Sequence, residues 1–222
     1  MIRGFVAPRA SSPENPLRLA VLISGSGSGL ATLLNHQQNK SCVHKTVLVI
    51  SDKTDAGGLG HAERYGVPNT SIPLSKKISG LERRIEQESR VLDAIEESGA
   101  ELVVLSGYMR ILTAHFVSRW KGRLINIHPS LLPLFPGAHA HEDVLAGGVN
   151  ESGCTVHLVD ENVDTGPILA QKTVPVHKED TVDSLSERVK KAEHVLYPDV
   201  LDRFCRNPLS FDIGWSVDIN QL

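Results

Sequence analysis

Short, uninterrupted apolar runs recur along the chain: Arg18 to Ser24 (RLAVLIS), Thr46 to Ser51 (TVLVIS), Glu101 to Ser106 (ELVVLS) and Leu124 to His128 (LINIH). None alternates, and each is closed by serine or by a following proline. That is the pattern of strands buried on both faces of a parallel sheet. Stretches of helical spacing separate them. Leu30 to Gln38 is one. Gly58 to Tyr65 is another, ended by Gly66 with Pro68 beyond it. Leu81 to Ser98 carries Leu81, Ile85, Val91, Leu92 and Ile95 on one stripe and stops at Gly99. Thr113 caps a helix reaching about Trp120, and a further helix covers Ala140 to Ala146. A short strand is predicted near Thr70 to Ile72.

The last third reads differently. Ser152 to Val159 alternates, as in CTVHLV, which predicts a strand half-buried on one face. Asp160 to Gly166 is an acidic loop. Pro167 to Val176 is another strand, and Thr181 opens a long helix to Cys205. Strand–helix alternation followed by adjacent strands predicts an α/β fold: a Rossmann-like open sheet, mainly parallel, with a mixed C-terminal edge. Residues 1–17 are rich in Pro, Ser and Ala without a period and read as a flexible leader. Residues 18–205 read as a single domain, and 206–222 as a tail.

Composition narrows the function. A formal net charge of -3 argues against nucleic-acid and anionic-membrane partners. No run is apolar for long enough to span a bilayer, and the leader lacks the apolar segment of a secretory signal. Cys42, Cys154 and Cys205 form no C-x-x-C pair, so they read as free thiols in a reducing, cytoplasmic setting.

Two segments carry candidate chemistry. Ser24-Gly-Ser-Gly-Ser-Gly29 lies between the first strand and its helix. Glycines let the backbone approach a ligand, and the helix start offers unpaired N–H groups to a phosphate. The loop lacks a Walker lysine and the G-x-G-x-x-G spacing, so neither a triphosphatase nor a dinucleotide site is indicated. A tight turn that binds nothing is the alternative. In the strand from Leu124 to His128, Asn126 and His128 are two apart and so share a face at the strand's C-terminal end, where open sheets bind ligands. An amide beside an imidazole can donate to a developing oxyanion and move a proton. Asp164, followed by Thr-Gly in the acidic loop, reads as turn chemistry. His139 and His141 lack a third ligand at metal-site spacing, so no metal is expected.

Beyond these, ISGSGSGL, SGYMRIL from Ser106, INIHPSLLP from Ile125, FPGAHAHEDVL from Phe135, GCTVHLVDENVDTGPILAQ from Gly153 and AEHVLYP from Ala192 occur in one order. With those motifs, residues 18 to 205 resemble the phosphoribosylglycinamide formyltransferases, folate-dependent enzymes of purine synthesis. The resemblance implies catalysis by Asn126, His128 and Asp164. It implies a substrate phosphate on Gly27, Ser28 and Gly29, with Glu193 at the ribose. It implies a folate site at Arg84, Met109, Arg110, Ile111 and Leu112, joined by Asn126 and by the acidic loop from Asp160. The cosubstrate would be 10-formyltetrahydrofolate, without a metal. The partners would be small molecules, and the chain a monomer or homodimer. One departure stands out: the family's loop usually reads G-S-N-L, and here Gly29 replaces the asparagine.

Overall fold

The computed structural model describes residues 6–208. The first strand, β1 (Leu17–Ile23), lies inside a seven-stranded sheet of order β3-β2-β1-β4-β5-β6-β7. β2 (His44–Ser51) and β4 (Leu102–Leu105) flank β1 in parallel, and β3 (Asn69–Ser71) pairs with β2. β5 (Leu124–His128) continues the parallel set. β6 (Glu151–Leu158) and β7 (Ile168–Pro175) then run antiparallel. The expected mixed edge is therefore these last two strands.

Successive residues of β1 feed two cores, as strand geometry requires. Leu19, Val21 and Ile23 meet a cluster that includes Leu30, Leu33 and Leu34 of α1 (Ser28–His36). The same cluster takes Ala62 from α2 (Gly57–Arg64) and Val144 from α5 (Ala140–Ala146). It also takes Leu196, Val200 and Phe204 from α6 (Val182–Arg206). Ala20 and Leu22 face the other way, towards Val91, Leu92 and Ile95 of α3 (Gly80–Glu97) and Phe116 of α4 (Ala114–Arg119). Thr113 caps α4 by accepting the Phe116 N–H. Thr181 and Ser184 form a capping box at the start of α6.

Two expectations change. β6 is buried along nearly its whole length rather than on one face. Its polar residues Thr155 and His157 are buried too, Thr155 under the Ser130–Leu132 loop and His157 against Asn126. The leader is not loose over residues 6–16. Arg9 makes a two-pronged ion pair with Glu101 at 2.6 and 2.9 Å and donates to the Asn15 carbonyl. Ser11 donates from its N–H to the Cys205 carbonyl at 2.9 Å. Residues 1–5 of the leader and 209–222 of the tail lie outside the described residues.

The strand order reverses between β1 and β4. That switch point leaves a crevice beyond the carboxyl ends of the two strands, where open sheets take ligands. Tyr197 of α6 ties the neighbouring strands together from below, with its hydroxyl 3.0 Å from the Leu105 carbonyl and 3.1 Å from the Ile125 carbonyl. β5 therefore reaches the crevice on a fixed track.

Candidate functional site

The first wall of the crevice is the turn between β1 and α1. Gly27 caps α1 at φ 73°, and no side chain caps the helix or adds an acidic group in its first turn. Its leading N–H groups stay available to an anion. A Cβ on Gly27 would sit 2.5 Å from Gly58 Cα, so only glycine fits. A Cβ on Gly29 would meet only the Ser106 hydroxyl, at 2.7 Å. Ser106 therefore fills the space beside the residue that departs from the family pattern.

The second wall is the segment from Ser106 to Leu112. Ser24 and this segment bind each other twice: Ser24 N–H donates to the Gly107 carbonyl at 3.1 Å, and Met109 N–H donates to Ser24 Oγ at 2.8 Å. Arg110 pairs with the buried Asp52 carboxylate at 2.6 Å, at the carboxyl end of β2. Met109 and Ile111 are left exposed, an apolar surface on a pinned loop. Leu112 packs against the α3/α4 core. Arg84 is exposed on α3. One turn along that helix, Glu88 accepts the Thr113 N–H at 2.9 Å, which docks α3 beside the end of the segment.

The third element is the end of β5. Ile125 and Ile127 pack towards α6, so Asn126 and His128 share the opposite direction. Antiparallel pairing sets His157 of β6 directly opposite Asn126. His157 Nδ1–H donates to the Leu158 carbonyl at 3.0 Å, which leaves Nε2 to accept from the Asn126 amide at 3.2 Å. Burial holds His157 below the usual imidazole range, with Asp164 opposing. A neutral His157 thus fixes which way the Asn126 amide points.

His128 is buried, with Nε2 2.9 Å from the Phe135 carbonyl and Nδ1 3.3 Å from Asp164 Oδ2. Both ring nitrogens face oxygen atoms, so Phe135 and Asp164 fix the ring from its two sides. Asp164 Oδ2 also accepts the Gly137 N–H at 2.8 Å, and Oδ1 lies 3.7 Å from His157 Nε2. Asp164 and Phe135 both hold positive φ, 54° and 55°, so the two loops carry backbone strain where they meet. Asp160 folds the acidic loop by accepting from Asn162 N–H and the Thr165 hydroxyl.

Asn126, His128 and Asp164 thus converge. Glu193 does not join them by any hydrogen bond or ion pair among the described residues. It lies on α6 near Cys154, and burial pushes its carboxyl up to about 7 against the pull of Lys190. His139 and His141 open α5, and His139 is largely exposed beside Glu142. Sequence reading missed His157, Asp52 and the Phe135 carbonyl. A histidine inside an apolar strand and an aspartate just past a buried one were the available signals.

An open sheet with a glycine-lined turn at its switch point, Asn126 and His128 at the end of β5 and Asp164 from the loop after β6 suits acyl-group transfer. The chain belongs to the formyl transferase family, whose model matches residues 17–201. It is 48% identical over 187 residues to the trifunctional purine biosynthetic protein adenosine-3 of Gallus gallus, covering 84% of this chain and 18% of that protein. It therefore spans about a fifth of the length of that relative. It is 37% identical over 188 residues to phosphoribosylglycinamide formyltransferase of Escherichia coli, covering 85% of this chain and 87% of that protein. The crystal structure of phosphoribosylglycinamide formyltransferase from Brucella melitensis superimposes with a TM-score of 0.79 at 43% identity, covering 86% of this chain and 96% of that one.

Two outcomes follow from the walls of the crevice. Gly27→Ala loses about 2 kcal/mol or more of stability in urea unfolding, because it combines positive φ with a backbone clash. Gly29→Ala loses less, since the Ser106 hydroxyl can turn away. Glu193 has a folded-state value raised above the usual 4.5, so the stability it contributes is present below that value and is lost as pH rises towards 7. Glu193→Gln is accordingly more stable than wild type near pH 8, on the order of 1–2 kcal/mol, and the gap closes near pH 5. Thermal unfolding at the two pH values checks this.

Proposed function

We propose that the protein transfers the formyl group of 10-formyltetrahydrofolate to the amine of 5-phosphoribosylglycinamide, a step of purine biosynthesis. The carrying observation is His128, held between the Phe135 carbonyl and Asp164 at the end of β5, beside an Asn126 amide oriented by His157. The uncapped start of α1 at Gly27, Ser28 and Gly29 takes the substrate phosphate, and Glu193 takes the ribose hydroxyls. The exposed Met109 and Ile111, the backbone of Arg110 and Leu112, Arg84 and the loop from Asp160 hold the folate.

The substrate amine attacks the formyl carbon, and the carbonyl oxygen becomes an oxyanion. Asn126 Nδ2–H donates to it. The His128 Nε2–H stays on Phe135 and pins the ring. The Nδ1–H, 3.3 Å from Asp164, is the proton that can be shared with the oxyanion. Asp164 then relays the proton lost by the attacking amine, through a water, to the leaving folate nitrogen. The carbon–nitrogen bond to folate breaks, giving the formylated amine and tetrahydrofolate. Holding two substrates across one crevice supplies much of the remaining acceleration. Residues 18–205 act as one catalytic domain. The substrates are small molecules, and the free, buried thiols fit a reducing cytoplasm. Among the described residues no helix is long and apolar enough to cross a membrane.

His128→Ala and Asp164→Asn each lower kcat for formyl transfer to 5-phosphoribosylglycinamide by about 10²–10³-fold while circular dichroism stays native. Full activity in either variant removes the assigned roles.

A further inference from the structure

The opposite end of the sheet carries a second cluster of reactive side chains. His36 ends α1, Cys42 lies in the turn before β2, His44 is the first residue of β2, and Asp202 comes from the last turns of α6. One ligand atom from each lies within 4.8 Å of all the others. Asp202 is the centre: Oδ2 is 2.9 Å from His36 Nε2, while Oδ1 is 3.4 Å from His44 Nε2 and 3.6 Å from Cys42 Sγ. Donors around a tetrahedral zinc, with bonds of about 2.0–2.3 Å, sit about 3.3–3.8 Å apart. The cluster needs only a small contraction to reach that geometry.

A second observation points the same way. His44 is 2% exposed, and its Nε2 faces the Asp202 carboxylate at 3.4 Å in a long contact that falls short of hydrogen-bond geometry. A buried imidazole nitrogen held only by a long contact gains when an ion binds it. We propose that His36, Cys42, His44 and Asp202 form a binding site for a zinc-class divalent ion, separate from the catalytic crevice. The donor set of two imidazoles, a thiolate and a carboxylate suits zinc and excludes calcium and magnesium, which take oxygen ligands. Thiolate and carboxylate together cancel the ion's two charges, as a largely buried site requires. Loading releases the Cys42 thiol proton, now shared with the His44 carbonyl at 3.3 Å, to solvent. The entry route is on the His36 side, where a cavity of about 310 Å³ is also lined by Thr32, Asn35, His194, Pro198 and Asp199.

Gln37 sets the affinity. Its Oε1 accepts the Thr46 N–H at 3.0 Å, so its amide N–H donates to His44 Nδ1 at 3.0 Å. That leaves the ring proton on Nε2. Loading moves this proton to Nδ1 and gives up the Gln37 contact. A glutamate at 37 would accept from both neighbours and favour the loaded tautomer.

Metal-free full-length protein titrated with Co²⁺ and then Zn²⁺ tests this. One equivalent of Co²⁺ produces a thiolate-to-cobalt charge-transfer band and intense tetrahedral visible absorption, both abolished by Zn²⁺. Cys42→Ser loses the charge-transfer band, His36→Gln binds Zn²⁺ at least about ten-fold more weakly, and Gln37→Glu binds about ten-fold more tightly. Formyl transfer by the His36 and Cys42 variants stays at the wild-type level. A spectrum without the thiolate band, or one unchanged in Cys42→Ser, overturns the proposal. If Cys42→Ser does not fold, wild-type affinity in the folded His36→Gln overturns it.

Discussion

Asp164 Oδ2 accepts the Gly137 N–H at 2.8 Å and lies 3.3 Å from His128 Nδ1, while Oδ1 faces His157 at 3.7 Å. This carboxylate joins the proline-rich loop after β5 to the acidic loop after β6. The reacting end of the site depends on it. Without it the two loops lose their shared anchor, His128 loses an acceptor and His157 loses its neighbouring charge. The positive φ of both Asp164 and Phe135 indicates that the loops are held against local backbone preference. The strain is sustained because the partners are buried and the strands beneath are fixed by the sheet and by Tyr197.

The sheet supplies the rest of the positioning. Its switch point sets the Gly27 turn beside the Ser106–Leu112 segment, and Ser24 bonds the two together. β5 brings Asn126 and His128 to the same edge. α6 serves both ends of the molecule: Glu193 and Tyr197 lie towards the catalytic side, and Asp202 lies among His36, Cys42 and His44.

The parallel strands were legible because each is a short apolar run closed by a turn residue, and the helices because their stripes and caps are local. Asn126 and His128 were legible as a pair because period two needs no tertiary information. Asp164 was not: it is 36 residues from His128, and only the family resemblance joined them. β6 misled because CTVHLV alternates as a half-exposed strand does, while the Ser130–Leu132 loop covers its second face: Thr155 Oγ1 donates to the Ser130 carbonyl and accepts the Leu132 N–H. His157 was lost with that reading, since its role comes from facing Asn126 across an antiparallel pair. The Pro- and Ser-rich leader looked unstructured because its ties, Arg9 to Glu101 and Ser11 to Cys205, reach partners 92 and 194 residues away.

The central claim is that Asp164 positions the His128 ring by joining the loop after β5 to the loop after β6. Crystal structures of the wild type and of Asp164→Ala, read beside their rates of formyl transfer, test it most directly. In the wild type Asp164 Oδ2 accepts the Gly137 N–H and lies beside His128 Nδ1; in Asp164→Ala the ring turns or the two loops separate, and kcat falls about 10²–10³-fold. A variant with an unmoved His128 and full activity would contradict it.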